Sequence, residues 1–325
     1  MNAPALSTPP RVPLLPDRPV AFLWHYVCLR PWHFGGLLLL IVGAASCAVA
    51  VQYGMKLLVD AMAQGSANRG AADVWFPLGL FIGLIVVENI FWRLGGWLGC
   101  RTVVASVVDI RVDLFKHLTG HPMRYFTEHF AGSLGNRISA LGAAAGAIYG
   151  GLAWKIVPPI VDFIGAVVVL LTVDWRMAVA LVLFVAIVAA LITGFGIRGR
   201  AKHQRFAAQS ARVGGELVDA VSNVWTIKAF SARDREAERL ANEIGYEAKA
   251  QRRSWMYLEK ARVIHDICLS LMAGGMLVWA ISLWVNGSVT AGDVVLVSAL
   301  TFRILHGSRD LALALVDATQ QIGAI

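Results

Sequence analysis

The sequence predicts an all-α membrane protein: six transmembrane helices that continue as long extensions into the cytoplasm. Three observations predict it. The chain of 325 residues is 57% hydrophobic and 15% charged, with a mean hydropathy of +0.63. An ordinary soluble domain carries about 25% charged residues, so lipid is the solvent for much of this chain. Its apolar residues gather in runs near the roughly 20 residues that a helix needs to cross a hydrocarbon core of about 30 Å. Between those runs lie two long stretches, and the longer, residues 198–262, is rich in Ala, Arg, Glu, Lys and Leu without a proline, which makes it a helix former rather than a loop.

Residues 1–16 (MNAPALSTPPRVPLLP) are Pro-rich and lack the basic start and apolar core of a signal peptide, so they read as a disordered cytoplasmic tail. Residues 17–33 set aromatic and basic side chains around Pro31, the makeup of a short amphipathic helix in the headgroup layer. Residues 34–55 carry no charge and form the first span. The second begins near Trp75 and runs through FPLGLFIGLIVV. The third starts at Ile156, where Pro158 and Pro159 are expected to kink it. The fourth starts at Met177 and the fifth at Ile267. The sixth, from about Val294, is weaker because Arg303, Arg309 and Asp310 interrupt it.

Basic residues choose the side. Arg101, Arg111, Lys116, Arg124 and Arg137 lie between spans two and three, and a larger set from Arg198 to Arg262 lies between four and five, while the opposite connections hold only Arg69 and Arg176. The termini and long connections are therefore cytoplasmic. The same placement accounts for the net charge of +8 without nucleic acid as a partner. Cys28, Cys47, Cys100 and Cys268 form no CxxC pair and the eight histidines no HExxH run, so neither a metal site nor a disulfide framework is indicated. Asn286-Gly287-Ser288 matches a glycosylation sequon and reads as a turn.

Each inner connection ends in a tip. Gly120 and Pro122 stop one helix, and Tyr125, Phe126 and Phe130 follow. In the second connection Val218, Val221, Trp225 and Phe230 make an apolar face, then the chain turns to charge at Arg233, Asp234, Arg235 and Glu236. Aromatic side chains at a water-facing tip need a surface to bury against, which points to sockets on a soluble partner. A helix running from Trp175 to about Lys228 would be about 80 Å long. Further on, Arg239 and Glu243 have the i, i+4 spacing of a helical ion pair.

The order "DIRVDLFKHLTGHPMRYFTEHFAGSLGNRIS", "GELVDAVSNVWTIKAFSARDREAERL", "WVNGSVTAGDVV" resembles the transmembrane domain of ABC exporters, from Phe34 to the end of the chain. The resemblance implies a six-helix half-transporter over residues 34–325, with residues 17–33 as its elbow helix. It implies two coupling helices seated on nucleotide-binding domains, one over Tyr125, Phe126, Thr127, Glu128, His129 and Phe130, the other at Phe230, Ser231, Ala232, Arg233, Asp234 and Arg235. A second transmembrane half, in a homodimer, and alternating access are implied as well. The sequence contains no G-x-x-x-x-G-K-[ST] phosphate loop and no LSGGQ-like signature. The chain alone is thus expected to be no enzyme, with ATP and Mg bound on a nucleotide-binding domain that is fused further along or carried by a separate polypeptide. Fusion is expected, because it is the common arrangement of such exporters.

Ionisable groups inside the membrane cost about 2.5 to 3.5 kcal/mol each and need a partner or a water-filled cavity. Glu88 and Arg93 fall in the second span, Lys155 and Asp162 at or in the third, and Arg303 in the sixth. Glu88, Arg93, Asp162 and Arg303 are the candidates for a substrate pathway, with Arg303 expected to pair with one of the acids. Apolar walls with a few charges suit an amphipathic or lipid-like substrate. An ion-coupled secondary transporter, or a membrane scaffold or sensor on the same fold, is the alternative.

Overall fold

The computed structural model describes residues 16, 18–68, 74–128 and 131–322. The tail expected over residues 1–16 lies almost wholly outside them, as do His129 and Phe130. Described residues form helices and turns, with no strand among them. In order the helices are α1 (Pro19–Leu29), α2 (Pro31–Asn68), α3 (Trp75–Thr119), α4 (Met123–Glu128), α5 (Ala131–Gly151), a π-helical turn (Leu152–Ile156), α6 (Val157–Val173), α7 (Trp175–Ser222), α8 (Val224–Ala229), α9 (Arg233–Val285) and α10 (Ala291–Ile322).

Among the described residues five helical runs are long and apolar enough to cross a membrane: Pro31–Gln64, Trp75–Thr119, Leu134–Val173, Trp175–Ser222 and Arg233–Val285. The sixth expected span corresponds to α10, which carries Arg303 and falls outside that set. At 48 and 53 residues, α7 and α9 are about 72 and 80 Å long, far more than the bilayer core requires.

Three elements differ from expectation. The third span begins earlier than Ile156, and its irregularity lies before the prolines, in the π turn Leu152–Ile156. Pro158 and Pro159 have no N–H to give the carbonyls of Trp154 and Lys155, and a wider turn at that point accommodates the missing bonds. The helix α7 stops at Ser222 rather than near Lys228. Asn223 breaks it, its side-chain amide donating to the Asp219 carbonyl at 3.0 Å and to the Asp219 carboxylate at 2.9 Å, a local alternative to helix continuation. Helix α1 is apolar on both faces rather than amphipathic: Phe22, Leu23 and Tyr26 are buried, while Val20, Trp24 and Leu29 point outward.

The chain divides into two bodies, one of residues 1–175 and 276–325, the other of residues 176–275. In the first, α2 packs against α3, α6 and α10. Close approach rests on small residues, as expected where apolar attraction between helices gives no advantage over lipid. Ala44, Ala45 and Ala48 are buried, Gly43 faces the Phe91 ring, and Gly165 of α6 receives Val49. The Trp154 ring, in the π turn, lies over Gly95 and Gly99 of α3. At the start of the body, Tyr149 Oη donates to the Leu23 carbonyl at 2.9 Å and Arg30 Nη2 lies 2.9 Å from Asp109, so α1 is fixed to α5 and α3. Burial, helped by Asp113, pushes the Tyr26 phenol well above its usual range.

In the second body α7 and α9 are antiparallel, as their pairings show. Tyr257 Oη donates to Phe195 O at 3.1 Å, His203 Nδ1 and Ser254 Oγ are 2.6 Å apart, Arg212 meets Glu243 at 2.9 Å and Arg239 meets Glu216 at 2.8 Å. Position numbers rise along one helix as they fall along the other, and α8 sits at the turn.

Candidate coupling tips and membrane charges

The first tip follows from a stopped helix. The Gly120 N–H donates back to the carbonyls of Lys116 and His117, Pro122 cannot continue the ladder, and its carbonyl accepts from the Tyr125 N–H at 2.9 Å to start α4. His117, His121, Tyr125 and Phe126 form a chain of ring contacts, with centroids 5.2, 4.5 and 5.8 Å apart. Thr127 Oγ1 donates to the Arg124 carbonyl. Met123 is 79% exposed. Of the six residues expected in the first coupling helix, Tyr125 to Glu128 lie in α4, which starts two residues earlier, at Met123; His129 and Phe130 fall outside the described residues.

The second tip places its short helix upstream of the expected residues. It is Val224–Ala229, and Phe230, Ser231 and Ala232 form the turn after it, while Arg233, Asp234 and Arg235 open α9. The Ser231 N–H donates to Lys228 O and the Ala232 N–H to Ile227 O, the paired bonds of a Schellman stop. Ser231 is at φ 49, a left-handed conformation usually left to glycine. Trp225 is 84% and Phe230 78% exposed, with Val218 and Val221 exposed beside them. Trp225, on the short helix itself, was legible as part of the apolar face but not as the centre of the tip.

A clamp stands behind this tip. Arg239 joins Glu216 of α7 and Glu236 of its own helix, at 2.8 and 2.9 Å, and Arg212 joins Glu243. The expected Arg239–Glu243 pair is therefore replaced by two pairs across the hairpin, where α7 offers each a partner. Glu216, and after it Glu236, raise the Arg239 pKa further, so the guanidinium stays charged.

Within the first body, Arg303 of α10 meets Asp162 of α6 at 2.9 Å. Asp162 is buried, which makes the pair the expected answer to a charge in an apolar setting. Glu88 accepts from the Trp92 indole N–H at 3.3 Å and makes no ion pair among the described residues. Arg93 and Lys155 are exposed. A further polar cluster was missed in the sequence: Lys56 meets Asp293 at 2.6 Å, and Asp60 accepts from the Thr290 hydroxyl and the Gly292 N–H, both at 2.9 Å. Its signal was the Thr290-x-x-Asp293 spacing, in which side chain and backbone cap each other at a helix start.

Residues 34–308 match the family model described as the ABC transporter transmembrane region. The chain belongs to this family. Among relatives of the ABC transporter chain is an ATM1-type heavy metal exporter of Novosphingobium aromaticivorans, 24% identical over 292 residues, or 85% of this chain and 46% of that protein. An ATP-dependent lipid A-core flippase of Albidiferax ferrireducens is 23% identical over 289 residues, 87% of this chain and 48% of the other. The chain thus spans about half the length of the curated relatives it matches. Among solved structures, a bacterial Atm1-family ABC exporter with ATP bound superposes with a TM-score of 0.71 at 18% identity, over 90% of this chain and 53% of that one. The fold is that of an ABC exporter transmembrane domain.

Proposed function

We propose that this ABC exporter domain is one membrane-spanning half of an ATP-driven pump, pairs with a second copy of itself, and moves an amphipathic or lipid-like substrate outward by alternating access. ATP and Mg would act on a nucleotide-binding domain; the present sequence has no phosphate loop. The observation that carries this reading is the pair of tips, α4 and α8, each a short helix set between two long ones and each presenting large exposed apolar side chains such as Met123, Trp225 and Phe230.

In this reading Tyr125 to Phe130 and Val224 to Asp234 seat on the nucleotide-binding domains. When ATP draws those domains together, the tips are carried with them, and the long helices relay the displacement as rigid bodies. ATP and substrate each act only through their differential affinity for the two states. Asp162, Arg303, Glu88 and Arg93 are assigned to the pathway between the halves. The relatives named for a heavy metal and for lipid A-core differ in cargo, so the substrate class here rests on apolar walls with few charges. Bacterial relatives and the distribution of basic residues support an inner-membrane location with cytoplasmic termini.

The test is a reconstituted transporter, complete with its nucleotide-binding domains, carrying Phe230→Ala or Trp225→Ala. ATP hydrolysis should continue while transport is lost. Wild-type transport in both variants, or transport driven by an ion gradient without ATP, would overturn the proposal.

A further inference from the structure

The hairpin of α7 and α9 carries a basic cavity that none of the roles above uses. It has a volume of about 540 Å³, its charged lining is Lys202 and Arg205 from α7 with Arg252, Arg253 and Lys260 from α9, and no carboxylate lines it. Among the described residues none of these five cations makes an ion pair. Elsewhere on the same hairpin Arg212, Arg239 and Arg262 have carboxylate partners, while Arg198, Arg200 and Lys249 make no ion pair among the described residues. It is the grouping of five cations with no acid among them that marks the cavity. All five cationic residues are exposed, so water and salt screen them, and the groove they share is a place where an anion is favoured over a cation.

The floor of the cavity is built rather than incidental. Tyr257 occupies a notch left by Gly199, where a Cβ would come within 2.6 Å of the ring, and its hydroxyl is tied to the Phe195 carbonyl. Lys202 Nζ rests over that ring, 3.7 Å from its centroid. One turn along, the buried Ser254 is joined to His203. These contacts hold α7 and α9 in one register and fix where the cations stand.

Depth along the helix separates a lipid from a soluble anion. The apolar run of α7 ends at Ile197. Lys202 and Arg205 follow it by about 8 and 12 Å at 1.5 Å per residue, and the headgroup layer extends about 5 to 8 Å beyond the hydrocarbon. Side chains on α7 lean toward its N-terminus, which is toward the bilayer, whereas those on antiparallel α9 lean away from it. Arg252 and Arg253, beside the Ser254 that faces His203, stand level with Lys202 and Arg205 and reach the headgroup layer by the length of their stems. Trp255 and Met256, 61% and 58% exposed on α9, add an apolar surface beside the charge of the kind found at membrane interfaces.

We propose that this cavity binds the headgroup of an anionic phospholipid of the cytoplasmic leaflet, and that it favours a headgroup with two phosphates over one with a single phosphate. Five cations spread over two helices can engage two separated phosphates at once, as basic pockets between membrane helices do.

The intact transporter, delipidated in detergent, is titrated with cardiolipin, phosphatidylglycerol or phosphatidylcholine and followed by native mass spectrometry. Cardiolipin should bind at the lowest concentration and phosphatidylcholine should not bind specifically. Arg252→Gln with Arg253→Gln should weaken cardiolipin binding about 30-fold, since each basic residue near an anionic surface is worth about fivefold. The double lysine variant should retain most of the binding, and Lys249→Gln, on the same helix outside the cavity lining, should leave cardiolipin binding unchanged. Circular dichroism confirms that the glutamine variants keep their helices; should they not, the lysine pair and a charge-retaining comparison of cardiolipin with phosphatidylcholine still decide. Equal binding of phosphatidylcholine, or no loss in the glutamine variant, overturns the proposal. Displacement of cardiolipin by an equal concentration of inorganic pyrophosphate overturns the lipid assignment in favour of a soluble anion. Neither ATP nor transport enters the readout, so failure here leaves the exporter reading intact.

Discussion

Lys56 Nζ lies 2.6 Å from Asp293 Oδ1 and fastens the C-terminal part of α2 to the first turn of α10. The two side chains are 16% and 9% exposed, so removing one leaves a largely buried charge without a partner. That costs about 3 to 5 kcal/mol, whereas neutralising both is often close to neutral. Lys56→Met should therefore lower the thermal unfolding midpoint, and adding Asp293→Asn should restore most of the loss, because asparagine still accepts from the Thr290 N–H. A double variant as unstable as the single would show that the pair contributes little and that Lys56 matters for its packing.

The Asp162–Arg303 pair invites the same comparison with a different second readout. Arg303→Gln strands a buried carboxylate, at about 2.5 to 3.5 kcal/mol, and should reduce the yield of folded protein. Asp162→Asn with Arg303→Gln should recover the folding. If the pair lines the pathway, as proposed, that double variant folds yet transports charged amphiphiles differently from wild type. Unchanged transport of every substrate would make the pair a pin between α6 and α10 and nothing more.

Close packing against α3 makes neighbouring glycines unequal. A Cβ on Gly99 would sit 3.1 Å from the Trp154 ring, while one on Gly96 meets nothing within 4 Å. Gly99→Val should cost about 1 to 3 kcal/mol through displacement of the indole. Gly96→Val should leave the unfolding midpoint nearly unchanged. Intrinsic tryptophan fluorescence during unfolding distinguishes the two, since Trp154 is the ring that moves.

What could be read from the sequence follows the range of the forces involved. Residues 34–55 are charge-free, so the first span declares itself through the composition of one contiguous run. Arg303 was legible as the partner of one of the acids because lipid makes any unpaired charge expensive, but that the acid is Asp162 rather than Glu88 follows from the packing of α10 on α6. Lys56 and Asp60 were not legible, because they stand at the end of an apolar run, where charges are ordinary. The break in α7 was hidden because Val218, Val221 and Trp225 keep a helical period straight through Asn223; only that residue's bonds to Asp219 interrupt the helix. Arg239 was assigned a partner four residues away, while the structure supplies Glu216 from the facing helix, a contact that requires the hairpin to exist first.

Two turns of the chain use one backbone device with different residues, and the difference bears on coupling. After α9, Gly287 adopts φ 73, with the Gly287 N–H bonded to Trp284 O and the Ser288 N–H to Leu283 O. After α8 the same pair of bonds surrounds Ser231 at φ 49. Glycine takes this conformation freely, whereas an L-residue pays about 1 to 2 kcal/mol for it. Ser231→Gly should therefore keep the turn, preserve the exposed positions of Trp225 and Phe230, and transport at the wild-type rate. Ser231→Val adds a β-branched side chain at positive φ, which is seldom tolerated, and should shift the turn out of this conformation. With the tip misdirected, ATP hydrolysis in the assembled transporter should run without transport, as in Phe230→Ala, while thermal unfolding of the membrane helices stays near wild type. Full transport by the valine variant would show that the geometry of this turn is not what links the tip to its partner.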